Sequence, residues 1–465
     1  MTDPDPVLAA AEAEFPASVE RLKDFLRIES VSTDPAFAPQ VRRAAEWAAT
    51  ELADLGFAAR VVATPGHPCV LAHHPGPGGN APRVLYYGHY DVQPADPLEL
   101  WESGPFDPQV VEGERGPRIV ARGAVDDKGQ VMTFLEAFRA WKRVHGAPPV
   151  AVTVMLEGEE ESGSPSLEGF LRSHRDELAA DACVVSDTGM WDVATPAITT
   201  RLRGLVYVEA KLRGPSHDLH SGMYGGTLPN PINVLASIVA ELHDEDRRVR
   251  LPGFYDGVRE LPAEIRAQWD GLGFDETEYL GGAGIPFPYG ERGRSTLERM
   301  WSRPTLDCNG IFGGYVQKGA KTVIPAEASV KFSCRLVGDQ DPERVLASIR
   351  RFFAERLPEG CSVEFETHGA NPAIEVPTGS PFLGAARRGL ERVYRRPAVL
   401  IGSGGSIPAV GLFRRELGVD ALLVGFGLDD DRVHSPNEKF ELACYRGGIL
   451  SHAAMLAEFA ALRDR

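Results

Sequence analysis

The sequence predicts an α/β fold in which a mixed, helix-covered sheet is interrupted by an inserted α+β domain. Three observations carry this. Four short apolar runs, at 84–87, 150–156, 182–185 and 421–424, are rich in Val and Leu and show no alternation, as suits strands buried on both faces of a parallel or mixed sheet. From about Leu205 the pattern becomes alternation, with Val206 and Val208 against Tyr207 and Glu209, and later Val330, Phe332, Cys334 and Leu336 against Lys331, Ser333 and Arg335. That is the period of a strand with one dry and one wet face, typical of antiparallel sheets. Finally, 465 residues exceed what one core holds, since single cores stop growing near ~250–300 residues.

In chain order, a first helix carries Leu22, Phe25, Leu26 and Ile28. Between the strands at 84–87 and 150–156, the residues Val131, Phe134, Leu135, Phe138 and Trp141 recur at helical spacing, giving strand, helix, strand. The segment 244–303 is rich in Gly, Pro, Arg and Glu and predicts a long insertion with short helices. Helical patterning returns at 382–394 and 441–462. The expected boundaries are 1–204 and 377–465 for the two parts of the α/β domain and 205–376 for the insertion.

A formal net charge of −17 argues against a nucleic-acid partner, because such proteins meet phosphates with clustered Lys and Arg. Residues 1–20 are acidic and Ala-rich and lack the basic and apolar regions of a secretory signal. No apolar run approaches a membrane span. The six cysteines, Cys69, Cys183, Cys308, Cys334, Cys361 and Cys444, are far apart without a CxxC spacing, so reduced, mostly core thiols and a cytoplasmic protein are expected.

The chemistry lies where the unalternated runs end. The first ends in His89 and Asp91, the second in Glu157 and Glu159 to Glu161, and the third in Asp187; the fourth leads past Asp429–Asp431 to His434. Carboxyl ends of strands in open α/β sheets face the crevice where ligands bind, so these residues can converge on a metal. Each piece has a plainer reading. His89-x-Asp91 is common as a hydrogen-bonded loop pair, although such an Asp can also hold the second nitrogen of a ligating imidazole. A triple Glu is usually a solvated helix face. Asp126 and Asp127 can cap the helix that follows, or one of them can bridge two ions about 3.5–4 Å apart.

The pieces GHYDVQP, RGAVDDKG, EGEEESGS, VVSD, DLHSGMYGG, AKTVIP, GGSIP and HSPNEKF, in that order, resemble the co-catalytic zinc peptidase family of carnosine-type dipeptidases, aminoacylases and glutamate carboxypeptidases. They resemble its cytosolic non-specific dipeptidase branch more than the deacylases. The resemblance spans about 30–445. It implies a catalytic domain interrupted by a lid and dimerisation domain. It also implies two divalent ions per chain, zinc before manganese, one held by His89, Asp126 and Asp187 and one by Asp126, Glu161 and His434. Asp91 matches the residue that orients the first histidine, and Glu160 the general base that activates water. His220 matches a group that polarises the scissile carbonyl, commonly from the partner subunit of a homodimer. Thr322, Arg335 and Ser406 match positions that hold the substrate's terminal carboxylate. The chain departs from its relatives at Gly402 and Ser403, where they often carry Arg and Glu, which puts substrate preference in doubt. The expected activity is hydrolysis of dipeptides or small peptides with a free C-terminal carboxylate. The alternatives are an N-acyl amino-acid deacylase and, more distantly, a non-catalytic binding protein on the same fold.

Overall fold

A computed structural model describes residues 3–405 and 407–464. The chain forms two compact units, Met1–Thr200 with Val376–Ile401 and Pro408–Arg465, and Arg201–Glu375 with Gly402–Ile407. The short segment Gly402–Ile407 thus goes with the insertion rather than with the chain on either side of it.

In the first unit the strands lie side by side in the order Ala58–Val62, Cys69–His74, Ala151–Glu157, Arg83–His89, Ala182–Val185, Ala421–Leu423 and Ala197–Leu202. The four predicted strands are adjacent and mutually parallel, and the strands that flank them pair antiparallel. The sheet is therefore mixed. Its centre is dry on both faces because successive side chains of a strand point to opposite sides. Tyr86 meets Phe134, Phe138 and His452, whereas Tyr87 meets Phe413. Every residue of Ala151–Glu157 is buried.

The helix Lys128–His145 carries the predicted apolar stripe. It ends on Gly146 at φ 79°, with Lys142, Arg143 and His145 in its last turn. Glycine adopts that left-handed conformation without strain, and the basic residues complement the helix dipole. The long helices Asp5–Leu26, Pro381–Tyr394 and Leu442–Ala460 follow the predicted patterning. The first of them stops at Leu26, so Ile28 is a buried residue beyond it rather than part of it.

The second unit holds an antiparallel sheet in the order Thr305–Gly313, Glu327–Leu336, Gly204–Arg213 and Ser362–Asn371. The dry residues of the two central strands, among them Val206, Val208, Phe332 and Cys334, pack against Leu235 and Ile238 of the helix Pro231–Ala240 and Ile349 and Phe353 of Pro342–Ala354. The segment 244–303 contains the short helices Ala263–Asp270, Glu276–Gly282 and Thr296–Trp301. The last starts at a capping box between Ser295 and Glu298, which satisfies backbone groups that a short helix cannot pair itself. Among the described residues no helix is long and apolar enough to cross a membrane, and the cysteines are unpaired.

Candidate metal centre

Because the four central strands run parallel, their carboxyl ends open on one edge of the sheet. His89, the last residue of its strand, is fully buried. Its Nε2 lies 3.1 Å from Asp126 Oδ1. Its Nδ1 lies 3.1 Å from the backbone oxygen of Asp91 and 3.4 Å from Asp91 Oδ1. The Asp91 carboxylate also accepts the backbone N–H groups of Glu160 at 3.3 Å and Glu161 at 3.1 Å. One acid therefore fixes both the first histidine and the turn Glu160–Ser162. The second oxygen of Asp126 lies 2.9 Å from His434 Nε2, which is in turn 3.1 Å from Glu161 Oε2. Asp126 thus offers one oxygen to each imidazole. His89, Asp126 and Glu161 bring ligand atoms within 4.8 Å of one another.

Local backbone explains why these side chains are available. Asp127 occupies the N-cap of Lys128–His145, but its side chain makes no cap bond. Its Oδ2 accepts the His89 N–H instead, at 3.1 Å, and its Oδ1 is buried without a partner. The acidic run is not a solvated helix face. Glu159 is buried and accepts the N–H groups of His67 and Ser166, which leaves Glu160 and Glu161 on a single turn. His434 is held at φ 60°, a conformation that side chains other than glycine adopt at a cost and that clusters at functional loops.

The charges are those of a site built for cations. Burial, with repulsion from Asp127 and Asp126, pushes the half-buried Asp187 carboxyl well above the usual range. Burial also raises Asp127. Glu160 is pushed up to about 7, first by burial and then by Glu161, Asp91 and Asp126, against the pull of His89. Burial acts upward on Asp126 too, but the hydrogen bonds from His434 and His89 outweigh it and hold the acid below its ordinary value. His434 is raised to about 10 by Asp126 and then Glu161. The acids Asp126, Asp127, Asp187, Glu160 and Glu161 outnumber the two imidazoles of His89 and His434, which they raise, and burying so many acids, wholly or in part, is costly unless cations neutralise them; imidazole with carboxylate is a donor set that zinc or manganese accepts. The residues present therefore fit divalent ions.

Two supporting residues, Gln93 in GHYDVQP and Glu438 in HSPNEKF, have no role that the sequence alone assigns. Glu438, fully buried, accepts the N–H groups of Gly123, Val125 and Asp126 at 3.0, 2.9 and 3.1 Å and an Arg122 Nη1–H at 2.8 Å. It shapes the loop that presents Asp126. Gln93 Nε2 donates to Glu161 Oε2 at 2.8 Å. A lone Glu beside Lys439, and a lone Gln, are surface residues by default; only the fold reveals their partners.

His220, Thr322 and Arg335 belong to the second unit. His220 is exposed on a two-residue strand paired with Val323–Ile324, and its Nδ1 accepts the Gly222 N–H. The Thr322 oxygen accepts the neighbouring Ser221 N–H. Arg335 lies between Thr305 and Leu205 on the wet face of the larger sheet. Ser406 lies outside the described residues.

The family model "Peptidase family M20/M25/M40" matches residues 85–458, a span that includes all four strand ends. The chain belongs to this family. Among its relatives, the Cys-Gly metallodipeptidase of Candida albicans is 32% identical, covering 95% of this chain and 94% of the relative. The Beta-Ala-His dipeptidase of Homo sapiens is 31% identical, covering 96% and 90%. Among solved structures, the M20 family metallo-carboxypeptidase Sso-CP2 of Sulfolobus solfataricus superposes with a TM-score of 0.82 at 31% identity, covering 96% of this chain and 99% of that one. Human carnosine dipeptidase 1 gives 0.80 at 28% identity, covering 99% of each chain.

Proposed function

We propose that this member of the M20/M25/M40 family is a two-metal dipeptidase that hydrolyses the amide bond of dipeptides or small peptides with a free C-terminal carboxylate. One observation carries the reading. Asp126 offers one oxygen towards each of two histidines, with the carboxylate of Glu161 against the second of them and Glu160 close enough to feel the charge of Asp126. Relatives named for the dipeptides Cys-Gly and β-Ala-His, similar over nearly their whole lengths, support the substrate class.

In this reading His89, Asp126 and Asp187 hold one ion and Asp126, Glu161 and His434 the other, with zinc before manganese. The ions supply Lewis-acid activation of water and of the scissile carbonyl. Asp91 keeps the His89 ring oriented and holds the backbone of Glu160 and Glu161. Glu160 accepts the proton of the attacking water and passes it to the leaving amine. Its carboxyl, partly buried and held through its backbone by Asp91, suits a group that must both take and return a proton. His220 donates to the carbonyl oxygen as charge builds on it. Thr322, Arg335 and Ser406 hold the terminal carboxylate, for which a guanidinium fork is well shaped. The second unit is the lid and dimerisation domain of a cytoplasmic homodimer.

The reading is tested by a hydrolysis screen of the purified, metal-loaded protein with free dipeptides, the same dipeptides amidated, tripeptides and N-acetyl amino acids. Free dipeptides are turned over, and amidation raises KM. Preferential turnover of N-acetyl amino acids would assign the chain to the deacylases instead, and equal turnover of free and amidated dipeptides would remove the carboxylate contact.

A further inference from the structure

The two imidazoles of the site are supported differently. His89 is fully buried, and Asp91 braces it at Nδ1. The His434 side chain is 53% exposed, and the acids its ring meets, Asp126 and Glu161, are the other members of its proposed ligand set. The place of His434 therefore depends on its backbone. That backbone is unusual, because Arg432, His434 and Asn437 have φ of 57°, 60° and 62°. Residues other than glycine adopt this conformation at a cost, and it persists where the surroundings over-determine it.

One buried pair closes this loop at its base. Asp431 and Lys439 are both buried. Lys439 Nζ donates to Asp431 Oδ1 at 2.6 Å, and the Lys439 backbone N–H donates to the Asp431 backbone oxygen at 3.0 Å. On its other side Asp431 is bound to Leu428, whose N–H donates to Asp431 Oδ2 at 2.7 Å and whose oxygen accepts the Asp431 N–H at 3.0 Å. Lys439 begins the strand Lys439–Glu441, opposite Val120 in register, and its Nζ also donates to Glu441 Oε1 at 3.1 Å. Taking two charges out of water is costly, and a buried pair offsets this only with good geometry and further hydrogen bonds. Leu428 and Glu441 supply those bonds. The neighbouring pair of Arg115 with Asp430 is exposed and screened by water, so it fixes little.

We propose that Asp431 and Lys439 are positioning residues for one cation of the site. By closing the loop 431–439 they hold His434 where it meets Asp126 and Glu161, and so set the affinity of the ion at His434 and not of the ion at His89. The inference rests on the two-metal reading and adds the residues that tune one half of it.

The test titrates zinc into the chelator-stripped wild type, Asp431→Asn, Lys439→Met, the double variant and Arg115→Ala, reading zinc bound per chain against free zinc. The step that belongs to His434 is the one that His434→Ala removes. In each single variant of the buried pair this step moves to about 10–100-fold higher free zinc, the usual effect of losing a group that supports a metal ligand, and the other step stays. The double variant moves it no farther than the worse single variant, because both remove one interaction. Arg115→Ala moves neither step. An unmoved His434 step in both single variants overturns the proposal, as does a shift of the same size in Arg115→Ala. Equal movement of both steps also overturns it, since the pair would then act through the adjacent Glu438 on the shared Asp126. Should the variants not fold, amide exchange in the wild type decides. Linkage is reciprocal, so filling the His434 step slows exchange of the Leu428 and Lys439 amides about 10–100-fold, and equal exchange with one and with two ions overturns the proposal. A wild type that never binds two zinc ions overturns the two-metal reading itself.

Discussion

Glu160 and Glu161 are adjacent in the chain and placed in opposite surroundings. Glu161 is bonded to Gln93 and lies against His434. Glu160 is held at its backbone by Asp91 while burial raises its carboxyl. In the proposed reading the pair divides into a ligand and a base, and substitution separates them. Glu160→Gln keeps its ions and loses about 10²–10⁴ in kcat, the usual contribution of a general acid–base group. Glu161→Gln loses an ion at micromolar free metal. Metal content and turnover, measured side by side on both variants, check this, and the reverse pattern would interchange the two roles. The acids themselves were legible in the sequence because they follow buried strands. Their division of labour comes only from the family resemblance, because the residues alone do not say which acid Asp91, Gln93 and His434 reach.

At the scale of elements, the loop before Lys128–His145 is held by a residue more than three hundred positions away. Glu438 precedes the strand Lys439–Glu441, which pairs with Gly116–Val120 and so brings the carboxylate against the N–H groups of Gly123, Val125 and Asp126. Glu438→Gln faces those donors with an amide nitrogen and strips the buried Arg122 of its counter-charge. Breaking such a pair costs about 3–5 kcal/mol, and loss of a group supporting a metal ligand typically weakens metal affinity about 10–100-fold. Urea denaturation and metal retention measure the two effects.

This element also shows where the sequence stopped being informative. The central strands and their helices were legible because full burial and helical periodicity each leave a pattern. The short strands Gln109–Gly113, exposed along most of its length, and Gly116–Val120, in which only Ile119 and Val120 are buried, leave none. The helix Ala38–Asp54, whose buried face consists mainly of alanines with Val41 and Leu52, gives only a weak apolar stripe. Asp126 and Asp127 are each readable from sequence as cap or bridge; in the fold Asp127 makes no cap bond and Asp126 faces His89 and His434.

Over the whole molecule, the helix Leu442–Ala460 ties the core of the first unit to pH. His452 is fully buried among Tyr86, Phe134 and Phe426, with Ser186 Oγ 3.0 Å from Nε2 and no partner for Nδ1. Burial lowers its pKa from 6.5 to about 3. Above pH 6.5 the ring is neutral whether folded or unfolded and contributes no pH dependence. As pH falls from 6.5 towards 3, only the unfolded state takes the proton, and stability is lost by about 1.4 kcal/mol per pH unit. His452→Phe removes that component, so the difference in unfolding free energy between wild type and variant shifts in the variant's favour between pH 6 and 4. A difference that stays constant over this range would show that the ring does not titrate on unfolding.

Assembly is tested at the same scale. A two-fold interface gives both sites the same donated residue. If His220 acts across it, co-expressing Glu160→Gln and His220→Ala chains gathers both lesions in one site and leaves the other intact, so activity returns in the mixed dimer. No rescue means that His220 serves its own chain, and a fully active His220→Ala protein means that it serves neither.

The central claim, a dipeptidase built on two cations around Asp126, is tested most directly by titrating the chelator-stripped protein with zinc while following dipeptide turnover. Turnover rises with added metal and reaches its plateau at two equivalents per chain. Turnover that survives stripping, or that is complete at one equivalent, would contradict the account.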